Sequence, residues 1–256
     1  MSGAAWALAA GVLFGVFQAV NRRANQLVDA YRTTFALLLV AVIGLSVVSG
    51  ITEDLSLLGS APITSYVAFA SAGIIHFFLG WTFLAVSQQR IGAANTGALI
   101  AATPIIGSVL AAVVLGESLS PVIVIAIALA TAGVVLIARR ARGNDEHPAH
   151  PWFALAAATT WGVSPLFIRW GLEGLDSPII GVTIGLLAAA LLYAIVLAAG
   201  AAPTSYDLPR RALGWIAIAG LLVAAAIAAQ WTALDLTEVS TVVTLQLMAT
   251  PVVVLV

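Results

Sequence analysis

The sequence predicts an all-α integral membrane protein built from two copies of one multi-helix unit. We expect the copies to form an inverted five-plus-five repeat of transmembrane helices that is truncated within the ninth helix. Three observations predict this fold class: the composition is too apolar for a water-soluble domain, the apolar residues form long continuous runs, and short blocks of sequence recur at one constant spacing.

The composition places the chain in lipid. Of its 256 residues, 62% are hydrophobic and 8% are charged, and the mean hydropathy is +1.10. Soluble domains carry roughly 25% charged residues, because they must face water. The net charge of −1 argues against a nucleic-acid partner. With no cysteine in the sequence, disulfides, thiolate metal sites and cysteine nucleophiles are excluded.

The apolar runs predict nine membrane-spanning helices. A helix needs about 20 apolar residues to cross a bilayer core, and in lipid only helices and closed barrels satisfy the backbone. The runs lack the alternation of barrel strands. We place the spans near 4–21, 31–49, 65–87, 93–115, 121–138, 152–171, 178–199, 213–232 and 239–256. The first run lacks a positive n-region, so it is predicted to be a span rather than a cleaved signal peptide.

An internal repeat divides the chain into two units. Matching blocks are all separated by 147 positions: Gly15-Val16 and Gly162-Val163, Arg22 and Arg169, Ala72-Gly73 and Ala219-Gly220, and Ala102-Thr103-Pro104 and Ala249-Thr250-Pro251. One register shared by blocks in several spans, and including Pro and Arg, indicates a true repeat. The predicted units are 1–138 and 152–256, joined by the polar linker 139–151.

The number of spans per unit predicts how the units are related. Five is odd, so the second copy enters the membrane from the opposite side, as in the inverted repeats of many secondary transporters, whose sites lie near the midplane. Past Pro104 the first copy runs another 34 residues to Ala138, whereas five residues follow Pro251. We therefore expect that a tenth span is missing, and that the 256-residue form is unstable or inactive.

The arginines predict an orientation. Nine lie on one side of the nine-span arrangement, and Arg169 alone lies on the other. Because basic residues are enriched in cytoplasmic loops, this places the N-terminus outside and the linker in the cytoplasm. His147 and His150 in the linker have no third ligand at usable spacing, so we expect solvated side chains there. No metal or cofactor is predicted.

Several motifs lie along the chain in a distinctive order. Besides the two Ala-Thr-Pro blocks, these are Phe14-Gly15, Arg32, Gly116-Glu117-Ser118-Leu119-Ser120-Pro121 and Trp161-Gly162. With these residues the sequence resembles the drug/metabolite transporter superfamily, EamA type, over nearly its whole length. The resemblance implies a ten-helix, five-plus-five transporter of small organic solutes, often an exporter of amino acids or related metabolites. It also implies cytoplasmic termini, opposite to the arginine distribution.

Ionisable groups within spans are expensive, and they mark functional sites by default. All the carboxylates fall at span ends or in loops, whereas His76 lies midway along span three. His76 is either a proton carrier or a neutral side chain hydrogen-bonded to another helix. Three- and four-residue steps place Gly73, His76, Gly80 and Phe83 on one helical face. The matching face of span eight holds Gly220, Val223, Ile227 and Gln230, which suggests a central cavity shared by the two copies.

Other polar side chains complete the candidate substrate site, although each could instead bridge two helices. With His76 and Gln230, the candidates are Gln18, Asn21, Thr96, Thr103, Trp161, Ser164, Gln246 and Thr250. Pro104, which would free the carbonyl of Ile100 within span four, and Pro251 are predicted hinges or cavity walls. We expect Glu117 to cap span five.

The leading interpretation is a secondary transporter that exports small organic metabolites, such as amino acids or related neutral solutes, by alternating access. We expect a multi-pass protein of the plasma membrane of a prokaryotic cell, in contact with its solute and with lipid, and compatible with a homodimer. A non-transporting membrane subunit is one alternative. An intramembrane enzyme is less favoured, because no acidic residue is placed to orient His76.

Overall fold

The computed structural model describes residues 1–141, 151–200 and 209–254, and among these residues it contains helices and no strands. The helices are α1 (Gly3–Asn25), α2 (Ala30–Thr52), α3 (Leu57–Ser60), α4 (Ile63–Gly73), α5 (Trp81–Ile100), α6 (Thr103–Val114), α7 (Pro121–Ala141), α8 (Trp152–Leu172), α9 (Pro178–Ala198), α10 (Arg210–Leu236) and α11 (Val239–Val254). A π-helical segment, Ile74–Gly80, joins α4 to α5. The range of α5 includes a kink at Gly92 (φ 76°), where the backbone is not helical. The predicted all-α class is confirmed.

Six stretches are long and apolar enough to cross a membrane. They are Gly3–Asn25, Tyr31–Thr52, Ile63–Gly92, Asn95–Val114, Pro178–Ala198 and Arg210–Leu236, and each coincides with a predicted span. The other three predicted spans fall on α7, α8 and α11, whose crossing stays a prediction. Helix α8 packs against α4, α5 and α6. Because it faces protein on several sides, it can carry polar residues such as Thr160 and Ser164.

The principal helix contacts join the two halves of the chain. Helix α1 packs along α10 and α11, whereas α8 packs along α4, the π-helical segment, α5 and α6. In terms of the predicted spans, span one contacts spans eight and nine, and span six contacts spans three and four. Helices α2 and α9 also pack together across the halves. The first helix of each half is thus embedded in the other half.

Two glycines that occupy equivalent positions in the sequence repeat allow close approach between the halves. A Cβ atom on Gly73 would stand 1.9 Å from the carbonyl oxygen of Gly185 in α9. A Cβ atom on Gly220 would stand 2.6 Å from the Cβ of Val40 in α2. Lipid gives helices little hydrophobic reason to associate, so their association depends on dense packing of small residues and on hydrogen bonds. These glycines therefore support the interface.

One end of the bundle, here called the N-terminal face, gathers the start of α1 and the ends of α8 and α10. A Cβ on Gly3 would lie 2.8 Å from the side chain of Thr237, which follows α10. Arg169 of α8 donates to the carbonyl oxygens of Leu234, at 2.7 Å, and Asp235, at 3.3 Å. The opposite end, the linker face, is where α7 ends and α8 begins.

Glu117 caps a different helix from the one that its place in the sequence suggests. Its carboxylate accepts the backbone N–H groups of Val239, at 2.7 Å, and Ser240, at 3.1 Å, at the start of α11. Helix α7 has its own cap, because the N–H of Ile123 donates to Ser120 Oγ at 3.3 Å. The prediction that Glu117 caps span five is wrong. A carboxylate gains favourable electrostatics at any helix N-terminus, and the fold brings α11 to it.

Pro104 lies at the start of a helix rather than inside one. The predicted fourth span is broken, because α5 ends at Ile100 and α6 begins at Thr103. In the first turn of a helix the missing N–H of proline has no intrahelical partner to lose. The continuous, proline-interrupted helix expected here is therefore replaced by two shorter pieces. Whether Pro104 acts as a hinge stays a prediction, and the side chain of Pro251 lies outside the described residues.

Replacing Gly73 with alanine should destabilise the protein, because the new methyl group would meet a backbone oxygen of α9. Overpacking of this kind costs roughly 1–3 kcal/mol. Gly214→Ala in α10 is the matched control, since a Cβ there meets nothing within 4 Å. Titration of the purified variants with SDS in mixed micelles measures both. Equal stability of the two variants would contradict the close approach of α4 and α9.

Candidate functional site

A hydrogen bond between two buried side chains joins the halves deep in the bundle. His76 Nδ1 lies 2.8 Å from Ser164 Oγ. Their side chains are 5% and 0% exposed. His76 lies near the middle of the stretch Ile63–Gly92, and Ser164 lies within α8. The first half thus contributes an imidazole and the second half a hydroxyl to one polar pair in apolar surroundings.

Trp161, which lies one helical turn before Ser164 in α8, also contacts His76. Its indole Nε1–H donates to the backbone carbonyl of His76 at 3.1 Å, and the two ring centroids lie 6.0 Å apart. Gly80 makes room for this indole, because a Cβ there would stand 2.4 Å from Trp161 Nε1. The predicted candidates His76, Trp161 and Ser164 are therefore brought together, and their backbone and side-chain groups bond directly.

The π-helical segment changes which face of the span carries His76. Gly73 packs against Gly185 of α9, whereas Gly80 contacts Trp161 of α8, as His76 contacts Ser164. In an α-helix residues seven apart lie on nearly the same face. The single face predicted for Gly73, His76 and Gly80 is therefore wrong. The wider turn of a π-helix, with its i→i+5 bonds, shifts the phase between the two glycines.

Aromatic rings surround the polar pair. The His76 ring centroid lies 4.7 Å from that of Phe77. Phe77 packs edge-on against Trp81 at 5.6 Å, and Trp81 stacks on Phe17 of α1 at 5.8 Å. A few polar groups set among aromatic and apolar side chains are typical of small-molecule sites. Such a site suits a solute that has both a polar and an apolar part.

The other predicted candidates are distributed around this group. Thr96 is buried, and its hydroxyl lies 2.8 Å from Ser87 Oγ, so it bonds within the first half. Gln18 is exposed on α1, and Gln246 is half-buried on α11. The side chain of Thr250 lies outside the described residues. The hydrogen bond described for Thr96 is thus with Ser87 and not with the His76–Ser164 pair.

Three candidates carry a buried oxygen without a hydrogen-bond partner among the described residues. These are Asn21 Oδ1, Thr103 Oγ1 and Gln230 Oε1. Gln230 is 4% exposed on α10. An unpaired buried acceptor costs free energy, and water or a ligand is an ordinary way to satisfy it. These atoms are therefore free to accept a bond from a solute or from solvent.

Tyr193 is a buried polar residue that the sequence analysis did not single out. It is 1% exposed on α9, and its hydroxyl lies 3.2 Å from Thr82 Oγ1. Tyr193 and Thr183 are the two polar residues of the predicted span 178–199, and this is the signal by which the sequence could have identified Tyr193.

Among the described residues, no group of three His, Cys, Asp or Glu side chains could hold a metal ion. His147 and His150 lie outside that part of the chain.

Comparisons with known proteins agree with this architecture. A solved structure, titled only as the crystal structure of a protein, matches with a TM-score of 0.75 and 21% identity, over 98% of this chain and 85% of that one. At this identity the likeness shows the fold alone. A comparison with curated proteins finds no match. The profile of the EamA-like transporter family matches residues 1–139, which is more than half of the sequence, and the chain therefore belongs to the EamA-like transporter family.

Proposed function

We propose that this membrane transporter exports small, net-neutral organic solutes, such as amino acids, across the plasma membrane by alternating access. The observation that carries the proposal is the His76–Ser164 hydrogen bond, 2.8 Å long, because it joins the halves near mid-depth. Movement of one half against the other would open or close a site at this pair. Solute would then reach it from one side of the membrane at a time.

The proposed movement needs two comparable halves. We propose units 1–138 and 152–256, related as an inverted repeat, with 139–151 as their linker. The reciprocal packing of α1 and α8 supports this relation. So do Gly73 and Gly220, which are offset by 147 positions and each meet the second long helix of the other half.

The charge distribution supports a net-neutral solute. In the described part of the chain, the carboxylates lie in loops or at helix ends, and the arginines also lie toward helix ends. Burying an unpaired charge costs several kcal/mol, whereas each polar contact returns roughly 1 kcal/mol. A zwitterion can be met by amides and helix-end dipoles, but a solute with a net charge would lack a full counter-ion.

Polar contacts between the halves support a state that is closed at the N-terminal face. Ser177 Oγ donates to Glu53 Oε2 at 2.7 Å, and the Glu117 carboxylate holds the start of α11. At the linker end of α1, by contrast, Gln18, Arg22 and Arg23 are exposed. We propose that opening of the N-terminal face requires release of these two carboxylates.

A Ser–His pair also raises the alternative of intramembrane hydrolysis, since 2.8 Å lies within nucleophile–base distance. A hydrolytic histidine is usually oriented by a third group, commonly a carboxylate. The contacts described for His76 are with Ser164, Trp161 and Phe77, and none supplies that carboxylate. We therefore propose that the pair binds solute and performs no covalent chemistry.

Solute flux into liposomes tests the proposed function. We expect the purified protein to move at least one neutral amino acid or related metabolite, and Ser164→Ala to lower the flux about fivefold or more through the lost bond to His76. Thr159→Ala, on the exposed side of α8, is the matched hydroxyl deletion and should transport normally. Hydrolysis of a substrate in place of flux, or a preferred solute with a net charge of two, would refute the proposal.

Replacing Gln230 with methionine should weaken transport without destabilising the fold. The side chain keeps its approximate size but loses Oε1, a buried oxygen with no partner among the described residues. We expect an increase in KM of about fivefold, as for one lost hydrogen bond, with an unchanged or raised Tm, and Gln18→Ala should also raise KM. An unchanged KM in both variants would exclude these amides from the solute site.

Cysteine labelling tests closure of the N-terminal face, because the chain contains no cysteine of its own. Ser240 is fully buried beside Glu117. In nanodiscs, Ser240→Cys should react slowly with a hydrophilic maleimide, and about tenfold faster when Glu117→Ala removes its charge-assisted bonds. Gln26→Cys, exposed near the linker face, should react equally in both backgrounds. Equal labelling of Ser240→Cys in both backgrounds would show that Glu117 does not hold this face closed.

A further inference from the structure

Tyr193 approaches the π-helical segment from the second half. Its hydroxyl lies 3.4 Å from the carbonyl oxygen of Phe77 and 3.4 Å from that of Phe78. The ring packs edge-on against the Phe78 ring, with centroids 4.9 Å apart. The hydroxyl also lies 3.2 Å from Thr82 Oγ1, where either hydroxyl can be the donor. A phenol has one proton to donate, and the two carbonyls and Thr82 lie around it.

Trp161 donates to the backbone carbonyl that comes just before that of Phe77. Its Nε1–H donates to the carbonyl of His76 at 3.1 Å. Three consecutive carbonyls of Ile74–Gly80 are therefore approached by aromatic donors on α8 and α9. Each carbonyl oxygen has two lone pairs, so it can accept such a donor beside a helical bond. All the donors belong to the second half of the chain.

The π-helical geometry occurs in one copy of the repeat. In the second copy, 221–227 corresponds to Ile74–Gly80, and Val223 corresponds to His76. These residues lie within the continuous helix α10. The π-helix is a rare conformation that is often found at functional sites. Here it accompanies the copy that carries the imidazole, and it turns His76 and Gly80 toward α8.

We propose that Tyr193, together with Trp161, holds Ile74–Gly80 in the π-helical form and so directs the His76 imidazole to Ser164. Tyr193 is thus a positioning residue for the solute site, a role that rests on the proposed function. When the halves separate, the donors withdraw, the segment is released toward α-helical bonding, and His76 turns away from Ser164. The orientation of His76 is in this way coupled to docking of the second half.

Tyr193→Phe tests the inference, because it removes one oxygen and leaves the packed ring. We expect backbone amides of 74–80 to exchange with deuterium about fivefold faster or more, as for one lost hydrogen bond. The imidazole ¹⁵N resonances of His76 should shift, and KM should rise while Tm stays nearly constant. Tyr66→Phe is the matched control and should change none of these readouts. Tyr66 lies in α4, just before the π-helical segment, and its hydroxyl donates to the carbonyl of Leu58.

Trp161→Phe is a second variant, since it deletes the indole N–H that donates to the His76 carbonyl, and it should move the same readouts in the same direction. It decides the question if Tyr193→Phe does not fold. Unchanged exchange and unchanged His76 resonances would overturn the inference even if solute flux is normal. Absence of flux in the wild-type protein would refute the proposed function instead, and faster exchange of 74–80 in the variants would still support the role of Tyr193 in holding the π-helical segment.

Discussion

The approach of Gly73 to the backbone of Gly185 sets the geometry of much of the central interface. Within lipid, helices associate through dense packing and hydrogen bonds rather than through exclusion of water. Because neither glycine has a side chain, α4 and α9 approach at a distance that a Cβ would prevent. The following segment, Ile74–Gly80, is then within reach of Tyr193 on α9 and Trp161 on α8. The position of His76 follows from that contact.

Much of the fold could be predicted because lipid leaves a chain few options. Long apolar runs predicted helices, and six of them coincide with stretches able to cross a membrane. The repeat also identified Gly73 and Gly220, whose close contacts the structure displays. The π-helical segment could not be predicted in this way. The sequence IIHFFLG suits an α-helix equally well, and donors from residues more than 80 positions away bond to its carbonyls.

The candidate site was predictable in its components but not in its contacts. Polar residues stand out in apolar spans, so His76, Trp161 and Ser164 could be selected from the sequence alone. Which of them meet depends on helix phase and packing, and the single face assigned to Gly73, His76 and Gly80 failed because a π turn alters the phase. Glu117 illustrates the same limit. Its neighbours in sequence suggested α7, whereas the folded chain presents the N–H groups of α11 to its carboxylate.

The two halves share their small residues but differ in their polar ones, and this difference bears on mechanism. Gly73 and Gly220 are separated by the repeat spacing, and each packs against the second long helix of the other half, Gly73 on the backbone of Gly185 and Gly220 on Val40. At the next turn one copy carries His76 in a π-helical segment, and the other carries Val223 in an α-helix. Under the proposed function, two related halves would exchange similar arrangements, as alternating access requires. In that proposal His76 and Ser164, which do not occupy equivalent positions of the repeat, would hold an asymmetric solute in one orientation.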